Sequence, residues 1–346
     1  MKKILLFIVS ICLFTSCNKD QGVYEKVPLA FEKPSNFPEI KYNLDNNPLT
    51  EKGFELGKKL FYEGKLSSDG VVACAFCHQQ KFAFTHHGHT FSHGVDNREG
   101  TRNAPPIQNM AFQSQFAWDG AAFHLDLFSI IPITNPDEMG ETVTNILAKL
   151  KQDKAYENLY SLAFDDGKIN TENTLKALSQ FMIMMVSSNS KYDKYVRDEE
   201  GGVFTDDEKE GLKLFENKCA SCHKTALFTD DSFRNNGLPI NQEINDLGRM
   251  RVTLLEDDKF KFKVPSLRNI ALTAPYMHDG RFGSLKSVLN FYANGVEETT
   301  NLDPLLKHSD GSLGILMSAN EKNKIIAFLN TLTDEEFIKD KRFAEN

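Results

Sequence analysis

The stretch Cys74-Ala-Phe-Cys77-His78 returns 145 residues later as Cys219-Ala-Ser-Cys222-His223. C-x-x-C-H is the spacing of c-type haem attachment. Two thiols three positions apart reach the two vinyl groups of one porphyrin as thioethers, and the adjacent histidine meets the iron. A zinc knuckle or a thioredoxin-like redox pair would also explain one copy. Two copies favour haem, because the only other cysteines are Cys12 and Cys17. Cys74, Cys77, Cys219 and Cys222 are then the attachment points, and His78 and His223 the iron ligands.

The approaches to the two motifs repeat as well. Gly57-Lys-Lys-Leu-Phe61 precedes the first and Gly211-Leu-Lys-Leu-Phe215 the second. Each closes an amphipathic helical pattern opened by a threonine. Thr205-Asp-Asp-Glu208 has the form of a capping box, whereas Thr50 lacks the glutamate three residues on. Phe61 lies thirteen residues before Cys74 and Phe215 four before Cys219, so the first copy carries an extra nine-residue loop. Ser318-Ala-Asn-Glu321 predicts another capped helix, continued by Ile325, Ile326, Phe328, Leu329 and Leu332. Similar patterns fill Thr142 to Val196, and no run alternates over strand length. The reading is an all-α protein of two cytochrome-c-like domains, one c-type haem each, meeting at Glu199-Glu200-Gly201-Gly202.

At 346 residues the chain is long enough for two domains. A formal net charge of −8 argues against a nucleic-acid partner, which would need a basic stripe. Lys2 and Lys3 precede an apolar run from Ile4 to Phe14, too short to span a bilayer and suited to a signal peptide. Thr15-Ser16-Cys17 then has the look of a lipoprotein cleavage site, with an ordinary secretory signal as the alternative. The expected organisation is a signal at 1–17 ending at a lipidated Cys17, a tether at 18–48, an N-terminal haem domain at 49–200 and a C-terminal haem domain at 201–346. The location expected is a Gram-negative membrane, with the chain facing the periplasm.

Between the motifs, GTRNAP (100–105), WDG (118–120), NPDEMG (135–140), FKVPSLRN (262–269), APYMHDGRF (274–282) and FYANG (291–295) resemble the bacterial di-haem cytochrome c peroxidase family, which includes the MauG-like proteins. The resemblance covers about residues 50 to 335. It implies two cytochrome c domains around a pseudo-twofold axis, a peroxide-reacting haem domain at 49–200 and an electron-transfer haem domain at 201–346. It also implies that Trp118 lies between the haems as a relay and that Glu138 is the acid of the peroxide pocket. A carboxyl group there can move a proton from one peroxide oxygen to the other. Asn103, Thr273 and Pro275 match the family's calcium site, whose oxygen ligands suit Ca²⁺.

Three positions depart from the peroxidase pattern. Peroxidase members carry methionine fourteen residues after the histidine of the APYMHDG motif, as distal ligand of the second haem. Here that position is Tyr292, as in the MauG-like branch, with Met277 the competing ligand. A thioether raises the haem potential, and a phenolate lowers it and stabilises high-valent iron. A glutamine usually stands ten residues after the tryptophan, and here it is Phe128, with His124 near enough in sequence to compensate. His93-Gly94 matches the loop histidine of reductively activated peroxidases, a removable ligand of the first haem that MauG-like members usually lack. The remaining histidines of the HHGHTFSHG stretch (86–94), His86, His87 and His89, read as riding on the same solvated loop.

The resemblance implies an oxidoreductase of the cytochrome c peroxidase type, with two covalent haem c groups and Ca²⁺. Its partners would be hydrogen peroxide, a periplasmic donor such as a small cytochrome or cupredoxin, a membrane reached through the Cys17 lipid, and a second copy in a homodimer. One alternative is a MauG-like oxidase of a partner protein's side chains, with tyrosines such as Tyr276 or Tyr192 as surface exits. Others are a non-catalytic electron-transfer protein and, last, a histidine-rich metal-binding lipoprotein.

Overall fold

The computed structural model describes residues 26–224 and 226–345; the signal and lipid-site readings at 1–17 lie outside them. The described chain is mostly helical, and its only sheet is a two-residue antiparallel ladder, Phe233–Arg234 against Phe262–Lys263.

Two helix pairs organise it in the same way. The helix Glu51–Phe61 packs on Thr171–Met184, and Asp206–Lys218 packs on Ala319–Asn330. Each pair has a glycine at its closest approach. A Cβ on Gly57 would collide with the Ala177 carbonyl, and one on Gly211 with the Lys324 carbonyl. The caps follow the side chains: Thr205 and Ser318 head full capping boxes, while Thr50 caps Gly53 N–H alone. These bonds satisfy helix-start donors that would otherwise have no partner.

Two apolar cores result. One gathers Leu56, Leu60, Phe61, Tyr160, Phe181 and their neighbours; the other gathers Phe204, Phe215, Phe228, Ile325 and Phe328. The tail beyond Asn330 returns to the first core, where Phe337 and Phe343 are buried. The expected tether is corrected from residue 26 onward. Phe37 and Tyr42 are buried in the first core, Leu29 N–H bonds Leu49 O at 3.0 Å, and Lys41 N–H bonds Ala111 O at 2.9 Å. The stretch is polar on average, but its scattered apolar side chains each find a place on that core.

Between the cores, Arg268 and Asp193 form a two-pronged ion pair, both prongs 2.8 Å, with both side chains 0% exposed. Arg268 also donates to Ala226 O at 2.8 Å and stacks over Phe37, 4.4 Å from its ring centre. Burial opposes a charge on Asp193, but the Arg268 hydrogen bonds outweigh it and hold the carboxyl below its usual range.

Candidate haem centres

Both C-x-x-C-H histidines are held alike. His78 Nδ1 lies 2.8 Å from Phe84 O, and His223 Nδ1 lies 3.0 Å from Phe228 O. A carbonyl only accepts, so each Nδ1 carries the proton and each Nε2 keeps a lone pair for a metal. Desolvation holds both imidazoles below their ordinary pKa, in the neutral, ligating form. Burial pushes the thiols of Cys74 and Cys219 up to about 12 and that of Cys77 to about 11. A redox-active C-x-x-C pair needs the opposite shift. Among the described residues, no group of three or more His, Cys, Asp or Glu is placed to hold a metal ion. Neither the zinc knuckle nor the histidine-rich metal site therefore gains support from the geometry.

Around the first motif the two residues that follow His93 pack on the backbone of Glu138. Val95 N–H bonds Glu138 O at 2.8 Å, and a Cβ on Gly94 would collide with the carbonyls of Asp137 and Glu138. Only glycine permits that approach. Asn135 Nδ2 donates to Glu138 Oε1 at 2.8 Å. Burial raises the Glu138 pKa despite that bond, so its proton is held more tightly than on a solvated glutamate. His93 Nδ1 is buried without a hydrogen-bond partner, 3.6 Å from Glu99 Oε1.

The solvated-loop reading of the other histidines is corrected for His86. It is 5% exposed, its Nδ1 meets Ser92 Oγ at 3.0 Å, and its ring stacks on His89 with centres 4.1 Å apart. His89 in turn meets His93 edge-on at 5.6 Å. Burial, then the charges of His89, His78 and His93, lower the His86 pKa to about 4, so it stays neutral at neutral pH. His87 is exposed, stacked on Phe82.

Around the second motif lies a cleft of about 1640 Å³, counting the solvent at its mouth. It brings together Cys219, Cys222, His223, Met277 and Tyr292, and also Trp118, Asn103, Thr273 and Pro275. Burial pushes the Tyr292 phenol up to about 12. Trp118 Nε1 donates to Asn103 O at 2.8 Å, Lys263 N–H to Trp118 O at 2.7 Å, and Asn103 N–H to His278 O at 2.7 Å. Trp118 is thus pinned by residues from both halves of the chain. Arg102 braces the neighbouring WDG turn by bridging Asp119 and Asp246.

Phe128 does share a pocket with Trp118, its ring 5.7 Å from Phe116. His124 does not compensate for it: exposed, it accepts from Asp126 N–H as a helix cap and leans on Tyr42. Tyr276 is no surface exit, being 9% exposed with its hydroxyl on Ile270 O at 2.9 Å. Two groups were missed from sequence. Asn135 was readable as part of NPDEMG. Asn236, which meets Tyr292, lies in no recognised motif.

Two haem-type attachment motifs, each with a pre-set histidine, define the class: a di-haem c-type protein. Residues 51–201 match the di-haem cytochrome c peroxidase family. The methylamine utilization protein MauG of Methylorubrum extorquens is 36% identical over 313 residues, 88% of this chain and 84% of the relative. Cytochrome c551 peroxidase of Nitrosomonas europaea is 32% identical over 288 residues, 82% and 80% of the two chains. A crystal structure of a MauG-like protein associated with microbial copper homeostasis superposes with a TM-score of 0.81 at 32% identity, covering 91% of this chain and 99% of that one. The chain belongs to the di-haem cytochrome c peroxidase family.

Proposed function

We propose that this protein reduces hydrogen peroxide to water at the haem held by His78, with electrons passed on from the haem held by His223. Two electrons and two protons enter, the O–O bond breaks, and two waters leave. The bound haem iron supplies the electron chemistry. The chain supplies the rest: His78 and His223 as ligands, Glu138 as the group that moves the proton between the peroxide oxygens, Trp118 as the relay, and His93 as a ligand that leaves to open the site. One observation carries this reading. The His93–Gly94 turn packs directly on the backbone of Glu138, so loop position and acid position are one variable. The raised Glu138 pKa suits a group that must hold a proton and release it.

In this reading Ca²⁺ takes the Asn103 side-chain oxygen with the carbonyls of Thr273 and Pro275. That would stiffen Trp118 through its bond to Asn103 O. Two haem domains about a pseudo-twofold axis, expected at 49–200 and 201–346, are supported by the two helix pairs with matching glycine contacts; the second bound is corrected, because the tail carrying Phe337 and Phe343 packs on the first core. Export, a lipid on Cys17 and a periplasmic electron donor complete it. No helix of the described residues is long and apolar enough to cross a membrane.

The test is Glu138→Gln in holoprotein. Peroxide turnover should fall by about 100- to 10,000-fold, the range of a general acid–base group, with both haems still attached. Unchanged turnover would remove the assignment. A second reading, peroxide-driven oxidation of a partner protein, is favoured by Tyr292, which faces the same cleft as His223. A phenolate there would make the second haem a poorer electron acceptor.

A further inference from the structure

Asn236 stands on the wall of the His223 cleft at the point where its two candidate distal ligands converge. Its Nδ2 lies 3.3 Å from Tyr292 Oη and 3.7 Å from Met277 Sδ. Which end of the amide faces them is decided by Leu238, whose N–H donates to Asn236 Oδ1 at 3.3 Å. The frame beneath is rigid. Asn235 Nδ2 donates to Thr300 O at 2.7 Å and Thr299 Oγ1 at 3.0 Å, and Gly237 N–H bonds Asn235 Oδ1 at 2.9 Å. Gly237 has φ +69, and a Cβ there would lie 2.7 Å from Glu297 O. Glycine is the residue that accepts both conditions, so the turn presents the amide at a set place.

We propose that Asn236 is a positioning residue that selects the distal ligand of the second haem, favouring Tyr292 oxygen over Met277 sulfur. The inference rests on the reading of Tyr292 as a ligand. An oxygen that gives one lone pair to iron keeps others, so an N–H donor supports it without competing for the metal. A phenolate gains a charge-assisted hydrogen bond, roughly twice as strong as a neutral one. A thioether is a weak acceptor and gains little. One fixed donor between the two therefore tilts the choice to oxygen, and its loss releases that tilt.

The test uses the ferric holoprotein, with haem content and thermal unfolding checked for every variant. Asn236→Leu keeps the bulk and removes both donors. The expected result is loss of the phenolate-to-iron charge-transfer band of the second haem, appearance of a thioether-ligated signature, and a rise in that haem's reduction potential. Asn236→Gln, which keeps a donor, should restore the wild-type spectrum, and adding Met277→Leu to Asn236→Leu should abolish the thioether signature. An unchanged spectrum and potential in Asn236→Leu would overturn the proposal, as would a change that Asn236→Gln does not restore. Tyr292→Phe separates the two levels. If it leaves the spectrum unchanged, Tyr292 is no ligand and both ideas fall. If it alters the spectrum while Asn236→Leu does not, only the role of Asn236 falls.

Discussion

At the level of single residues, His78 and His223 owe their readiness to bind a metal to a carbonyl, not to the cysteines beside them. Phe84 O and Phe228 O each accept a hydrogen bond from Nδ1–H, which leaves the Nε2 lone pair free. His93 is the opposite case: its Nδ1 is buried with no hydrogen-bond partner, 3.6 Å from Glu99 Oε1. Such an atom carries a desolvation cost of about 1–3 kcal/mol, which movement of the ring to a new partner would relieve. His93→Gly is expected to leave the oxidised first haem without its sixth ligand and open to peroxide; a spectrum and peroxide reactivity identical to wild type would remove His93 as the gate. The repeated C-x-x-C-H spacing stood out in sequence because haem attachment would dictate it, and both copies give their histidine the same kind of carbonyl partner. His86 was not. A histidine among polar neighbours reads as solvated, and its burial comes from the stack with His89 and the contact with Ser92.

At the level of elements, close packing rests on glycines that sequence periodicity marks as neutral. Gly57 and Gly211 let two helix pairs approach until backbone meets backbone. Gly57→Ala and Gly211→Ala should each cost about 1–3 kcal/mol, as an added methyl in a packed contact does; urea unfolding of each variant measures it. An effect within a few tenths of a kcal/mol would contradict the contact. Gly94→Ala should act differently, moving the His93 turn off Glu138 and lowering peroxide turnover more than stability. Caps at Thr205 and Ser318 were readable because the box needs named residues at a set spacing. The packed segment from Val27 to Leu49 was not, because Leu29, Phe31, Phe37 and Tyr42 follow no helical or strand period.

At the scale of the whole molecule, the two cores are tied by contacts between residues far apart in the chain. The Arg268–Asp193 pair joins them, and Phe337 and Phe343 return from the C-terminal tail to the first core. No local pattern encodes such a return, so it was invisible in sequence. Arg268→Met should destabilise the protein by about 3–5 kcal/mol, since it strands a buried carboxylate. The sign with pH follows from Asp193, whose pKa is depressed in the folded state. Its stabilisation is full above the unfolded value of about 3.9 and is lost as pH falls through the lower folded value. Acid unfolding compared between wild type and Arg268→Met reads this directly. Trp118, on the cleft of the second motif, is held by Asn103 from one half of the chain and Lys263 from the other. In the function we propose, peroxide reduction at one haem fed by the other uses Trp118 as the relay and requires departure of His93. Stopped-flow spectroscopy of the holoprotein mixed with peroxide tests it most directly. The fully oxidised form should not react, and the form carrying one added electron should react at once. Fast reaction of the fully oxidised form would contradict the gated peroxidase and favour peroxide-driven oxidation of a partner protein.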